Sequence, residues 1–111
     1  MAILKPGDVA TVLFVGAEAT KRRPVVVISA EEYQHRRPDV IVALLTSNLD
    51  SATTPFDYVL LDWASAGLKR PSAFRAYLQT DLQAEVARIG RLSEGDWIEI
   101  RGRLSLLFGL T

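Results

Sequence analysis

The 111-residue chain has no cysteine, one histidine and one methionine. Without cysteine there is no disulfide framework, no thiolate chemistry and no zinc site of the cysteine type. Nor does a lone His35 build a centre of several imidazoles. No apolar run reaches the roughly 20 residues of a membrane helix. The opening MAILKPGDV meets Pro6-Gly7 before a signal-peptide hydrophobic region can form. A soluble, unprocessed cytoplasmic protein is expected. Net charge is also missing, with 13 Lys and Arg against 13 Asp and Glu, so any basic surface has to arise by segregation.

What is present is a folded chain. Hydrophobic residues make up 49%, enough for a modest core and too many for disorder. The length suits one domain spanning residues 1–111. The cations are segregated: Lys21, Arg22 and Arg23 are adjacent, Arg36 and Arg37 follow His35, and Lys69, Arg70 and Arg75 fall in a span from Trp63 to Thr80 that holds no acid. Local basic patches of this kind hold phosphates even on a neutral protein.

The pattern predicts a mainly β protein. Gly7-Asp8 breaks the chain before a strand from Val9 to Phe14, and VGAEATKRR (15–23) reads as a loop. PVVVIS (24–29) and VIVALLTS (40–47) are short, β-branched apolar runs, as expected of central buried strands. Between them EEYQHRRPD reads as a polar loop. DYVLLDW (57–63) is a strand candidate after the flexible NLDSATTP, and SAGLKRPS is a connector. In SAFRAYLQT (72–80) a two-residue period puts Phe74, Ala76 and Leu78 on a packed face and Arg75, Tyr77 and Gln79 on a polar one. A short strand follows around Val86 to Gly90. Ser93 with Asp96 resembles a capping box, and Trp97, Ile100, Leu104, Leu107 and Phe108 recur at helical spacing, predicting a terminal helix packed on the sheet. Gly102 inside it costs about 1 kcal/mol relative to alanine. Strands ending in one helix suggest a small, strongly bent sheet or barrel.

Taken singly, the polar features have ordinary explanations. A KRR run is most often a solvated turn, Thr46-Ser47 a strand end with local hydrogen bonds, and His35 a solvated side chain. Tyr77 suits either a base-stacking platform or a barrel surface, while Trp63 and Trp97 suit the core or a subunit interface.

In order, however, PGDV, RPVVVIS, LLTS, GLKRPSAFR and IGRLS are similar to the MazF/PemK toxin family, in register over about a hundred residues. The resemblance implies an SH3-like barrel with added helices, working as a homodimer. It also implies an endoribonuclease (mRNA interferase) that cleaves single-stranded RNA with no metal or other cofactor and is held inactive by a cognate antitoxin. By position, Arg23, Thr46 and Arg75 match the family's catalytic residues, and Ser72 its strand-opening serine. Ser47, Ser72, Tyr77, Gln79, Lys21 and Arg22 are the corresponding candidates for binding substrate. Two positions differ: the PemK branch has an aspartate where Tyr77 stands, and EATKRR is shorter than the usual glycine-rich first loop.

The chemistry favours these residue types independently. Cleavage without a metal requires the ribose 2′-hydroxyl to lose a proton, the 5′-oxygen to gain one, and the phosphorane charge to be stabilised. A planar arginine fork suits the last need. With Tyr77 in place of the aspartate, the general acid and base stay open. Two alternatives remain at this point: a noncatalytic RNA- or protein-binding module of the same fold, and a gyrase-inhibiting toxin of that fold acting through its last helix.

Overall fold

The computed structural model describes residues 3–15 and 20–110. Residues 16–19 of the expected first loop lie outside the described residues. Six strands form one antiparallel sheet in the order β4-β5-β3-β2-β1-β6. They are β1 (Asp8–Val15), β2 (Thr20–Val27), β3 (Asp39–Thr46), β4 (Tyr58–Val59), β5 (Ala73–Leu82) and β6 (Ala87–Arg91), with helices α1 (Glu31–Arg36) and α2 (Glu94–Leu107). Together they make a half-barrel sheet carrying a C-terminal helix.

The continuous apolar runs are explained by burial on both faces. Val9, Val26, Ala43, Leu45 and Phe74 pack with Ile100 of α2 and with Leu60, Ala66 and Leu68 of the β4–β5 connection. The alternate residues Ala10, Val12, Val25, Val27, Val40 and Val42 close around Leu4 on the other face. Side chains of a strand alternate, so a strand buried on both sides shows no polar period. Bulges at Val9/Ala10 against β6 and at Ala43/Leu45 against β5 bend the sheet.

The two edges are brought together by glycine. A Cβ on Gly90 of β6 would lie 2.1 Å from the carbonyl oxygen of Ala66, and one on Gly67 2.7 Å from that of Ile89. Gly67 also has φ +91°, a conformation glycine adopts without steric penalty. The connection after β4 therefore lies directly on the opposite edge strand.

Some sequence expectations need correction. Thr20 to Arg23 belong to β2 and pair with β1, Arg22 opposite Leu13 and Arg23 opposite Val12. The three cations are thus the exposed half of a strand whose second half is buried. The segment read as a polar loop holds α1, on which His35 and Arg36 face Glu31 and Glu32 one turn earlier. Its Gln34 is buried and donates to the carbonyls of Leu4 and Ser29. Only Tyr58–Val59 of the 57–63 run is strand. The reason is Asp96: its carboxylate accepts from the amides of Leu61 and Asp62 at 3.0 and 2.8 Å and from the Tyr58 hydroxyl at 2.6 Å. That draws the backbone away from β5. Burial, followed by this hydrogen bond to Asp96, pushes the Tyr58 hydroxyl well above the usual phenol range.

The capping box is accordingly half formed. Ser93 accepts from the Asp96 amide, while the Asp96 side chain serves the 60–62 turn. Along α2, Ile100 is buried and Trp97 and Leu104 pack on the first cluster with Trp63. Phe108 is not core: it stands at the C-cap, past the last turn, and is 57% exposed.

Candidate functional site

Where the β4–β5 connection crosses the open ends of β1, β2 and β3, a groove of about 430 Å³ remains. Arg22, Arg23 and Pro24 of β2 form one wall, Leu45, Thr46 and Ser47 at the end of β3 another, and Gly67 to Arg70 with Ser72 a third; Thr11 and Ile89 complete it. Four of these residues are cations and none is an acid. Hydrophobic strands bring the site together: β2 and β3 are held in place by their buried halves, and their polar ends emerge side by side.

Each polar group has a definite state. The guanidinium of Arg22 donates from Nε to Thr11 Oγ1 and from Nη2 to the Thr11 carbonyl, both at 3.0 Å. Arg23, Lys69 and Arg70 make no side-chain hydrogen bond or ion pair among the described residues, and their charge is open to the groove. Thr46 Oγ1 accepts from the Asn48 amide at 3.1 Å, which orients the hydroxyl and leaves its proton free to be donated. Ser72 is buried and gives its proton to the Arg70 carbonyl at 2.9 Å. It shapes the Lys69-Arg70-Pro71 turn.

Of the residues anticipated from sequence, Arg22, Arg23, Thr46, Ser47 and Ser72 line the groove. Arg75, Tyr77, Gln79 and Lys21 do not. For Tyr77 and Gln79 the cause is the β3–β5 register. Thr46 stands opposite Ala73, whereas Gln79 stands opposite Val42, four residues and about 13 Å along the strand. Gln79 donates to Asp81 and Tyr77 is 56% exposed. The charge of Arg75 acts on Asp57, whose carboxylate accepts from the Ala76 amide. Arg75 Nε is buried without a hydrogen-bond partner among the described residues. Sequence alone does not single out Thr11, one of seven threonines, as a partner for an arginine. Lys69 and Arg70 carried a signal, the acid-free span around them.

The donor set suits an anion with several phosphates: charged forks and a hydroxyl, with no carboxylate among the described residues to repel it. Among the described residues no three His, Asp or Glu side chains converge to hold a metal ion.

Residues 5–108 match the family model of the PemK-like, MazF-like toxins of type II toxin-antitoxin systems. The chain belongs to this family. Solved structures agree in fold. MazF in a MazE-MazF crystal structure from Deinococcus radiodurans superposes with a TM-score of 0.79 at 17% identity, covering 99% of this chain and 100% of that one. An endoribonuclease in complex with its cognate antitoxin from Mycobacterial species gives 0.78 at 18% identity over 100% and 98%. The Mycobacterium tuberculosis toxin MazF-mt6 gives 0.73 at 20% over 92% and 97%. No curated protein sequence matches this MazF-like chain.

Proposed function

We propose that this MazF/PemK-family protein is a metal-independent endoribonuclease that cuts single-stranded RNA and is silenced by a cognate antitoxin. One observation carries the proposal: the groove gathers Arg22, Arg23, Lys69 and Arg70 with Thr46 and, among the described residues, contains no carboxylate. The RNA backbone lies along the four cations. Arg23 stabilises the phosphorane, and Thr46 donates to a phosphate oxygen. Arg75 stands outside this centre within one chain. The homodimer is the working unit, for which Ile98, Leu106, Phe108 and Leu110, all exposed on or after α2, provide apolar area. Antitoxin binding is supported by the relatives captured with theirs.

The test is to incubate purified protein with mixed RNA in EDTA. Cleavage leaving a 2′,3′-cyclic phosphate and a 5′-hydroxyl is expected. A 5′-phosphate product, or activity abolished by EDTA and restored by magnesium, overturns the mechanism. Binding without cleavage identifies a noncatalytic module.

A further inference from the structure

We infer that Arg22 is a preset phosphate clamp of the groove and that Thr11 is the residue that positions it. The inference rests on the RNA-binding role proposed for the same groove. Among the described residues, the other arginines with an anchored side chain have a carboxylate among their partners: Arg36 has Glu32, Arg37 has Asp39, Arg88 and Arg91 share Asp8, and Arg103 has Glu99. Arg22 is held by neutral oxygens alone, the hydroxyl and the carbonyl of Thr11. Such an anchor restricts the side chain without cancelling its charge.

The geometry also sorts the five guanidinium donors. Nε–H and one Nη2–H are spent on Thr11, leaving both Nη1 protons and the second Nη2 proton. The edge between Nη1 and Nη2 thus remains complete, and that edge can donate two parallel bonds to two oxygens of one phosphate. Register supports the assignment. Thr11 stands opposite Pro24, and Arg22 shares the face of Pro24 because alternate residues of a strand point the same way. Thr11, Arg22 and Pro24 all border the groove. A flexible arginine would lose rotamer freedom each time it met a phosphate; Arg22 has already lost it. Thr11 touches no substrate in this arrangement and acts through Arg22.

The experiment measures binding of an uncleavable, mixed-sequence 2′-O-methyl RNA strand, together with turnover on ordinary RNA. Thr11→Val, which keeps shape and removes the hydroxyl, is expected to weaken binding roughly three- to tenfold and raise KM while leaving kcat unchanged. Thr11→Ser should restore both. In an Arg22→Ala background Thr11→Val should have no further effect, and Arg22→Ala itself should lower the salt slope of binding by about 0.7, one phosphate contact on a single strand. Arg22→Lys keeps the charge and loses the fork, so it should bind more weakly with the slope retained. The inference falls if Thr11→Val is equally damaging without Arg22, if Thr11→Ser fails to rescue, or if Arg22→Lys binds like the parent. A parent protein that binds no RNA overturns the groove's function as well; a parent that binds, with a Thr11→Val variant that binds equally, overturns this inference alone.

Discussion

Strand β1 anchors arginines at two positions three residues apart, and it does so in opposite ways. At Asp8, a carboxylate only 3% exposed takes Arg88 at 3.3 Å and Arg91 at 3.0 Å and also accepts from the Lys5 amide. At Thr11, two neutral oxygens take Arg22. The first arrangement ties β6 to β1 and sets a carboxylate against the charge of two arginines. The second fixes a cation and leaves its charge on display, next to three further cations without a partner acid. Of the seven arginines outside the groove five pair with a carboxylate, whereas none of the three lining it does among the described residues, and this contrast marks where an anion from outside belongs.

The strongest way to break this contrast is at Arg23, a groove arginine with no internal anchor among the described residues. If it stabilises the phosphorane, Arg23→Ala should reduce single-turnover cleavage by about 100- to 1000-fold and weaken RNA binding far less. Only interactions stronger in the transition state accelerate the chemical step. Arg36→Ala, on α1 and paired with Glu32, serves as the control outside the groove. Equal losses in cleavage and in affinity for Arg23→Ala would reduce it to one more phosphate contact.

The opposite prediction holds for the Asp8 corner, where damage should be to stability. Asp8→Asn is expected to cost about 1 to 2 kcal/mol, seen as a lower urea midpoint. That is below the roughly 3 to 5 of a wholly buried pair, because Arg88 and Arg91 are 51% and 48% exposed at their side chains and recover solvation. RNA affinity should not fall, since the change releases positive charge. A variant of unchanged stability with impaired binding would place Asp8 in the function and dissolve the contrast.

How much of this could be read from sequence differs between the two sides of the comparison. The runs 24–29 and 40–47 declared β2 and β3 because burial on both faces leaves only apolar residues, and the start of α2 was legible in Ser93 because capping is local chemistry. Arg23 and Thr46 were legible as the polar ends of those runs. What was not legible depends on register and on distant partners. Nothing local in DYVLLDW reveals that Asp96, more than thirty residues later, takes the amides of Leu61 and Asp62. Nothing local in Thr11 reveals Arg22 across the hairpin. The period of SAFRAYLQT separated the faces of β5, but only the pairing of Thr46 with Ala73 and of Val42 with Gln79 shows that Tyr77 and Gln79 run away from the groove. Helix α1 was missed because six residues are too few for an amphipathic period to stand out.

Asp57 provides the smallest test, since the charge of an arginine reaches it and yet contributes least to its state. Burial opposes its ionised form, but the amides of Ala76 and Thr54 and the Thr54 hydroxyl, and last the charge of Arg75, hold the carboxyl below its usual value. A carboxyl lowered on folding contributes stability that is fully present above its unfolded value, about pH 4, and is lost as pH falls through the lower folded value. Asp57→Asn should therefore be slightly less stable than the parent at pH 7, and the gap should close as the pH drops below about 4. Thr54→Ala should reproduce more of that effect than Arg75→Gln, because Thr54 supplies a hydroxyl donor and Arg75 only a distant charge. Urea titrations of the three variants at pH 7 and pH 3 measure it. If Arg75→Gln carries the larger share, the charge of Arg75 and not the Thr54 hydroxyl holds the Asp57 carboxylate, and Asp57 belongs with Asp8 as a carboxylate that answers an arginine.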